Sequence, residues 1–389
     1  MHSHLVTNPQ PPHHFKNLNI LRGVASFIVV VFHLFETYST SLLDQRINHG
    51  YLAVDFFFMV SGFVLSYSNS KSTSNSTSPI SFQLFMTKRY IRLQPFQLFG
   101  TLIGLLTFYC CQSPVFPLVE KTSVIKLLFV FLITVLMIPV PPSLDIFGDG
   151  AMYPLNGPMW TSFFEYCGSA FYFCVLRKLN KTKLFILCVV FSFLLMDIAT
   201  ELNVFGMMEK RERYGYSLVG GWVINTSHLY IGFSRLLFPF TMGVFLDKMK
   251  QKIDTHFGEE ISVFLLLFVF FTPRIGGANY GWENGVFEVF CVVFVFPVII
   301  LIAIGSPTKN RKTEKVAQFF GNISYGMFCV NYPLIYLQMV WAQKYSELPS
   351  IVHLGFGSIL LCLCIILSVI GLRWFDEPLR TKLNKLIKI

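Results

Sequence analysis

The sequence predicts an all-α polytopic integral membrane protein with about ten transmembrane helices and no soluble domain. Of its 389 residues, 53% are hydrophobic and only 13% are charged, whereas a soluble domain carries about 25% charged residues. The mean hydropathy is +0.57. Apolar stretches of about twenty residues, the length that crosses a bilayer as a helix, recur along the chain. No polar stretch between them is long enough to form a separate soluble domain.

Eleven apolar stretches are candidate membrane segments. They lie at residues 18–37, 50–69, 93–112, 124–142, 158–177, 184–200, 229–247, 260–273, 285–305, 318–341 and 351–372. We therefore predict one transmembrane domain over residues 18–380. A flexible cytoplasmic tail at 1–17 precedes it, and a basic cytoplasmic tail at 381–389 follows it.

Clusters of lysine and arginine predict how these segments are oriented. Such clusters follow the second, fifth, seventh and ninth segments and recur in the C-terminal tail, and the positive-inside rule assigns them all to the cytoplasm. Three candidate segments separate the first two clusters, so one of the three must be re-entrant or partial. This parity predicts ten crossings with both termini in the cytoplasm. The Ser/Thr/Asn tract at 68–78 is expected to be a flexible cytoplasmic loop.

The first segment carries two polar residues that are costly to bury in lipid. Arg22 and His33 lie eleven positions apart, which returns to nearly the same helix face roughly 16 Å along the axis. Ionisable side chains inside a membrane normally face a protein interior or a wet cavity and mark a functional site. We expect Arg22 at the cytoplasmic end and His33 roughly at mid-membrane, as a general base. Glu36 either orients the His33 ring or marks the membrane edge.

The second and third segments add three further charged candidates. Asp55 is either a carboxylate at a helix end or the partner of a buried cation such as Arg22. Arg89 and Arg92 share a helix face, and either anchor the segment at the membrane surface or bind a phosphorylated cofactor through their forked guanidiniums. Pro95 is expected to disturb that helix.

Later in the chain, Trp160 is either an interfacial anchor or a site residue, and Glu165 in the same segment suggests ion pairing or substrate binding. Arg235 either lies in the protein interior or extends to the membrane surface. Four N-terminal histidines lack the spacing of metal ligands, so we expect no metal site. The net charge of +10 is divided among short clusters between apolar segments, which argues against binding of nucleic acid.

These motifs together resemble the membrane-bound acyltransferase-3 family, whose members acylate surface polysaccharides, lipopolysaccharide, Nod factors and macrolides. Arg22 and His33 match its Arg-x10-His motif, AVDFFFMVSGF at 53–63 resembles GVDLFFVLSGF, and Arg89 with Arg92 matches Arg-x-x-Arg. Further resemblances are GPMWTSFFE at 157–165, RLLFPFTMG at 235–243, ISYGMFCVNYP at 323–333 and EPLR at 377–380. Asn331 departs from the family pattern, because many relatives have histidine there and asparagine cannot shuttle protons near pH 7.

The resemblance implies a membrane O-acyltransferase, of the O-acetyltransferase type, in a bacterial inner or plasma membrane. Its co-substrate would be cytoplasmic acyl-CoA, in the first instance acetyl-CoA, and its acceptor a hydroxyl of a surface carbohydrate or glycolipid. We hypothesise that His33 acts as the base, or forms a transient acyl-histidine. Under this hypothesis, catalysis involves His33, Arg22 and Glu165, donor binding involves Arg89 and Arg92, and support comes from Asp55, Trp160, Arg235 and Asn331.

Two other readings of the sequence stay open. A secondary transporter or flippase would also have many spans and buried charges, but it would show twofold internal symmetry with paired broken helices. A structural membrane subunit is the third reading, in which His33→Ala would disturb stability and abolish no reaction.

Overall fold

The computed structural model describes residues 16–39, 44–74, 80–211, 214–277, 281–306 and 311–387. Over these residues the regular structure is helical, apart from two isolated β-bridges. The α-helices are α1 (Lys16–Glu36), α2 (Ala53–Ser74), α3 (Phe82–Thr107), α4 (Val124–Val135), α5 (Met159–Cys174), α6 (Lys181–Ala199), α7 (Thr226–Met249), α8 (Gly258–Phe271), α9 (Trp282–Phe290), α10 (Phe296–Gly305), α11 (Arg311–Lys344), α12 (Ser350–Ile370) and α13 (Glu377–Leu386). The predicted all-α fold is confirmed over the described residues.

Seven helical segments of the described chain are long and apolar enough to cross a membrane. They are Lys16–Glu36, Gly50–Ser70, Phe82–Cys111, Lys181–Ala199, Thr226–Met249, Trp282–Gly305 and Ser350–Leu386. The other predicted segments coincide with α4, α5, α8 and α11. The count of ten crossings stays a prediction.

Helix α4 stays a candidate for the partial segment that the charge clusters predict. It has 12 residues and therefore rises about 18 Å, which is short of a hydrocarbon core of about 30 Å. The chain after Val135 leaves the helix, although apolar residues continue to 142. Hydropathy alone predicted one segment over the whole stretch.

At three places a helix extends beyond its apolar stretch. Helix α2 continues to Ser74, so the start of the tract predicted as a loop is helical, and residues 75–79 lie outside the described part. Helix α3 begins at Phe82, eleven residues before the apolar stretch, and Pro95 lies inside it. Residues 381–386 of the predicted C-terminal tail form the last part of α13, and residues 388–389 lie outside the described part. In each case the helix continues past the apolar window, because backbone hydrogen bonding does not require apolar side chains.

Helices α1 and α11 pack side by side and run in the same direction. A Cβ added at Gly23 would lie 2.8 Å from Cβ of Phe320, and one at Gly321 would lie 2.7 Å from Cβ of Asn19. Fourteen residues beyond Asn19, α1 has advanced about 21 Å. There His33 contacts Tyr332, which lies eleven residues beyond Gly321 on α11, so both helices advance in the same direction. Glycines at the contact let the two backbones approach closely. This pairing fixes which residues of α11 face Arg22 and which face His33.

Helices α2 and α7 are joined in the same manner. A Cβ at Gly62 would lie 2.1 Å from the carbonyl oxygen of Phe240, and one at Gly243 would lie 2.0 Å from that of Met59. Any side chain at either glycine would therefore separate the helices. The close packing brings polar groups of the two helices into direct contact, as described below.

Candidate active site

A cavity of about 210 Å³ opens among helices α1, α2, α3, α5, α11 and the C-terminal helices. Its wall carries seven charged side chains from the part of the chain that the structure describes. The charged residues are Arg22, Arg89, Arg92, Glu165, Asp376, Glu377 and Arg380. Four of the residues predicted for the site, which the sequence places on three separate helices, thus meet in one cavity.

One of the cavity arginines is already neutralised by a carboxylate. Nη2 of Arg89 donates to Oε1 of Glu165 at 2.7 Å, and its Nε donates to Oγ of Ser169 at 3.1 Å. Ser61 also donates to Oε1 of Glu165, at 2.8 Å. The Arg89–Glu165 pair therefore connects α3 to α5 and α2, and Arg89 binds an anion only if it shares or releases Glu165.

Two other cavity arginines lack such a partner. Among the described residues, the structure gives Arg22 and Arg92 no hydrogen bond and no ion pair, and both side chains are half-buried on the cavity wall. A cation held at membrane depth without a directly bonded counter-charge is costly. These two guanidiniums are consequently the groups best suited to bind an anionic ligand from the cavity.

The cavity changes character along its length. On α2 its lining runs from Val64 to Val54, ten residues or about 15 Å of helix. Apolar side chains dominate the end near Val54, where Phe57, Phe58 and Phe328 line the wall. A ligand with one charged part and one long, weakly polar part fits this division.

His33 lies outside the cavity lining, in the last turn of α1. This position is nearer the helix end than the mid-membrane level expected from the sequence. Nδ1 of His33 lies 2.6 Å from Oε2 of Glu36, and the ring contacts Tyr332 edge-on with centroids 5.0 Å apart. Tyr332 also donates to Oε1 of Glu36 at 3.3 Å.

The contact with Glu36 defines what His33 can do chemically. A carboxylate only accepts hydrogen bonds, so in the neutral imidazole the bond assigns the proton to Nδ1 and leaves Nε2 with its lone pair. The side chains of His33 and Glu36 are 18% and 17% exposed, which leaves them accessible from the helix end. Glu36 thus orients the ring, the first of the two roles that the sequence left open.

Asp55 does not pair with Arg22. It accepts from Nη2 and Nε of Arg235 at 2.6 and 3.2 Å, because close packing of α2 against α7 places the two side chains together. Arg235 also donates to the carbonyl oxygens of Tyr51 and Gly220, and only 1% of it is exposed. The guanidinium therefore lies in the interior rather than at the membrane surface.

Trp160 belongs to the same structural group. Its ring lies 5.6 Å from the guanidinium carbon of Arg235 and packs edge-on against Phe164. The residue is 8% exposed and does not line the cavity. It is a buried packing residue, and the interfacial anchor that the sequence allowed is wrong.

Asn331 is fully buried and bonds to its own helix. Its Nδ2 donates to the carbonyl oxygens of Met327 and Phe328 at 3.0 and 2.9 Å, while Oδ1 has no partner among the described residues. Pro333 two positions later has no N–H, and the freed carbonyl of Cys329 accepts from Asn156 at 2.8 Å. Asn331 satisfies local backbone groups at this break.

Sequence reasoning missed a buried polar network near the start of α2. Glu288 accepts from Tyr51 at 2.5 Å and from the backbone N–H of Leu218 at 2.8 Å, and Asn284 links it to His49. Burial lowers the pKa of His49 to about 4. A carboxylate in the apolar stretch 285–305 was the available signal. Sequence reasoning also missed Asp376 and Arg380 as site residues, although Arg380 belongs to the EPLR motif at 377–380.

One family of known proteins matches most of this chain. The family described as acyltransferase domain matches residues 15–370. The chain belongs to this family. It is also 29% identical to a Rhizobium radiobacter protein described as protein 2 in the picA locus, over 167 residues that make up 42% of this chain and 82% of that protein. No solved structure matches. Family membership confirms the resemblance noted from the motifs and favours acyl transfer over the transporter and structural readings.

Proposed function

We propose that this membrane acyltransferase moves an acyl group, an acetyl group in the simplest case, from cytoplasmic acyl-CoA to a hydroxyl of a surface or lipid-linked carbohydrate. One observation carries the proposal. Arg22 and Arg92 line the cavity with no hydrogen bond or ion pair to another described residue, and the helix that bears Arg22 also bears a carboxylate-oriented histidine three turns further along. We place the enzyme in a bacterial inner or plasma membrane, with Arg22 near the cytoplasmic side and both termini in the cytoplasm.

The cavity matches the two halves of an acyl-CoA donor. Phosphates form strong, directed hydrogen bonds with guanidiniums, and Arg22 and Arg92 supply them at the charged end. The apolar end, lined by Phe57 and Phe328, suits the pantetheine arm. This arm, rather than the nucleotide, has to carry the thioester towards His33.

The proposed reaction needs one base. Nε2 of His33 accepts the proton of the acceptor hydroxyl while the hydroxyl oxygen attacks the thioester carbonyl. The C–O bond forms, the C–S bond breaks, and the proton passes to the leaving sulfur, giving an ester and free coenzyme A. Glu36 stabilises the imidazolium that forms in between. A transient acyl-histidine is the alternative route, with the same products.

The remaining charged residues support these steps. The Arg89–Glu165 pair holds α3, α5 and α2 together around the cavity, and Arg89 adds positive potential for the donor phosphates. Glu165 is then a positioning residue for Arg89. The Asp55–Arg235 pair with Trp160 fixes α2 against α7 and has no direct role in the chemistry.

The test uses membranes that contain the wild-type protein, His33→Ala, Arg92→Met or the exposed control His256→Ala. Transfer of radiolabelled acetyl from acetyl-CoA to host glycans is followed by scintillation counting, and O-acyl groups on the glycans are detected by NMR. Protein amounts are matched between the samples. We expect His33→Ala to abolish turnover and Arg92→Met to raise KM for acetyl-CoA about tenfold or more. His256→Ala should behave as wild type, because the side chain is exposed in the 250–257 loop.

Full acylation by stably expressed His33→Ala would refute the role of this residue as base. A wild-type protein that neither binds nor consumes acyl-CoA would refute the donor.

A further inference from the structure

The C-terminal helix α13, which follows residues 15–370 and begins with the EPLR motif at 377–380, contributes charge to the cavity. Asp376, Glu377 and Arg380 all line the wall. A π-helical turn, Gly371–Asp376, precedes α13 and changes the direction in which these side chains project. Such turns are often found at functional sites.

Packing holds this turn firmly against the third helix. A Cβ at Gly371 would lie 2.7 Å from the ring of Phe99 and 3.1 Å from that of Phe96. Asp376 therefore has a fixed position, and only 2% of it is exposed. The carboxylate is placed by the backbone rather than by a flexible loop.

Asp376 and Arg380 form an ion pair that leaves both partners incompletely bonded. Nη2 of Arg380 donates to Oδ2 of Asp376, one helical turn apart. Oδ1 of Asp376 and Nε of Arg380 are buried and have no hydrogen-bond partner among the described residues. Each unbonded buried group costs free energy, and a buried charge that keeps only one hydrogen bond is poorly compensated.

A phosphate group would serve Arg380 better than Asp376 does. It offers several acceptor oxygens in the geometry that a guanidinium binds through two parallel hydrogen bonds. Arg22 and Arg92, which line the same cavity, would attract the anion to this position. The exchange would give Nε of Arg380 a phosphate oxygen as hydrogen-bond acceptor and would free the Asp376 carboxylate from Arg380.

We propose that the Arg380–Asp376 pair is an exchangeable latch, in which a phosphate of the acyl-CoA donor displaces Asp376 and is bound by Arg380. Helix α13 thereby supplies a third donor-binding arginine and closes the cavity around the nucleotide end of the donor. This inference rests on the proposed acyl-CoA donor.

The experiment measures binding of coenzyme A to the full-length protein in detergent by isothermal titration calorimetry. The variants are Arg380→Met, Asp376→Asn and Lys382→Met, the last removing an exposed cation two residues from Arg380 on the same helix. We expect Arg380→Met to weaken binding about tenfold. Asp376→Asn should tighten it severalfold, because a neutral amide competes less well with phosphate. Lys382→Met should bind as wild type.

The outcomes separate the latch from the proposed function. Failure of the wild-type protein to bind coenzyme A would overturn the donor and the latch together. Wild-type binding with unchanged affinity in Arg380→Met, or with no gain in Asp376→Asn, would overturn the latch alone. If Arg380→Met does not fold, Arg380→Lys takes its place, and it should still bind less tightly than wild type since one point charge replaces a planar fork.

Discussion

Replacing Glu36 with glutamine tests the orientation of the proposed base directly. The change keeps the size of the side chain but removes the negative charge 2.6 Å from Nδ1 of His33. A hydrogen bond that involves a charged partner contributes about 1.5–3 kcal/mol, whereas a neutral one contributes about 0.5–1.5 kcal/mol. Because His33 becomes an imidazolium when it takes the proton, the missing stabilisation of about 1–1.5 kcal/mol falls on the transition state.

This difference corresponds to roughly tenfold slower turnover. The assay is transfer of labelled acetyl from saturating acetyl-CoA in membranes, so that kcat is separated from donor binding. Tyr332→Phe removes a long hydrogen bond of 3.3 Å to Glu36 but leaves the carboxylate charge beside His33, and we expect less than about fivefold loss of kcat. Glu347→Gln, an exposed residue of the 345–349 turn, is the matched control.

Two results would refute the reasoning. Wild-type kcat in Glu36→Gln would show that the carboxylate does not act on the base. A higher KM for the donor with unchanged kcat would show that Glu36 acts in binding instead.

Two further predictions concern stability, both measured by unfolding in detergent micelles. Arg235→Met should lower the free energy of unfolding by about 3–5 kcal/mol, because it leaves the buried Asp55 carboxylate without its partner; exposed Arg373→Met should change it by less than about 0.5 kcal/mol. For His49, burial lowers the pKa to about 4 in the folded state, so the unfolded chain binds more protons between pH 6.5 and 4. Through His49 alone, acidification from pH 7 to 4.5 should thus lower the free energy of unfolding by about 2 kcal/mol, so His49→Gln should lose less stability than the wild type over this range by about that amount; equal pH dependence in both proteins would contradict it.

Hydropathy and charge clusters predicted most of the fold. Every predicted segment coincides with a helix, because lipid allows a spanning backbone to satisfy its hydrogen bonds only within the segment or in a closed barrel. Helix ends were less predictable. The helix over 82–107 starts well before its apolar stretch, and the one beginning at Val124 ends seven residues before its apolar stretch does.

The sequence predicted individual residues of the candidate site but not which of them bond to each other. The cost of ionisable groups in lipid singled out Arg22, His33 and Asp55 from the sequence. It could not show that Asp55 bonds to Arg235, which is 180 positions away in the chain. Glycines that admit a close helix contact decide that pairing, and their effect depends on which helix faces them.

The sequence by itself determined the membrane fold, the family motifs and the three-turn separation of Arg22 and His33, since each follows from local composition and helical period. Only the tertiary structure decided that Arg89 bonds to Glu165 while Arg92 has no such bond within the described part of the chain, that His33 bonds to Glu36 outside the cavity, and that α13 lines the cavity. The physical reason is that the role of a charged side chain depends on the group to which it bonds, and these groups lie on helices that are distant in sequence. Burial and bonding of each guanidinium therefore depend on packing that composition does not encode.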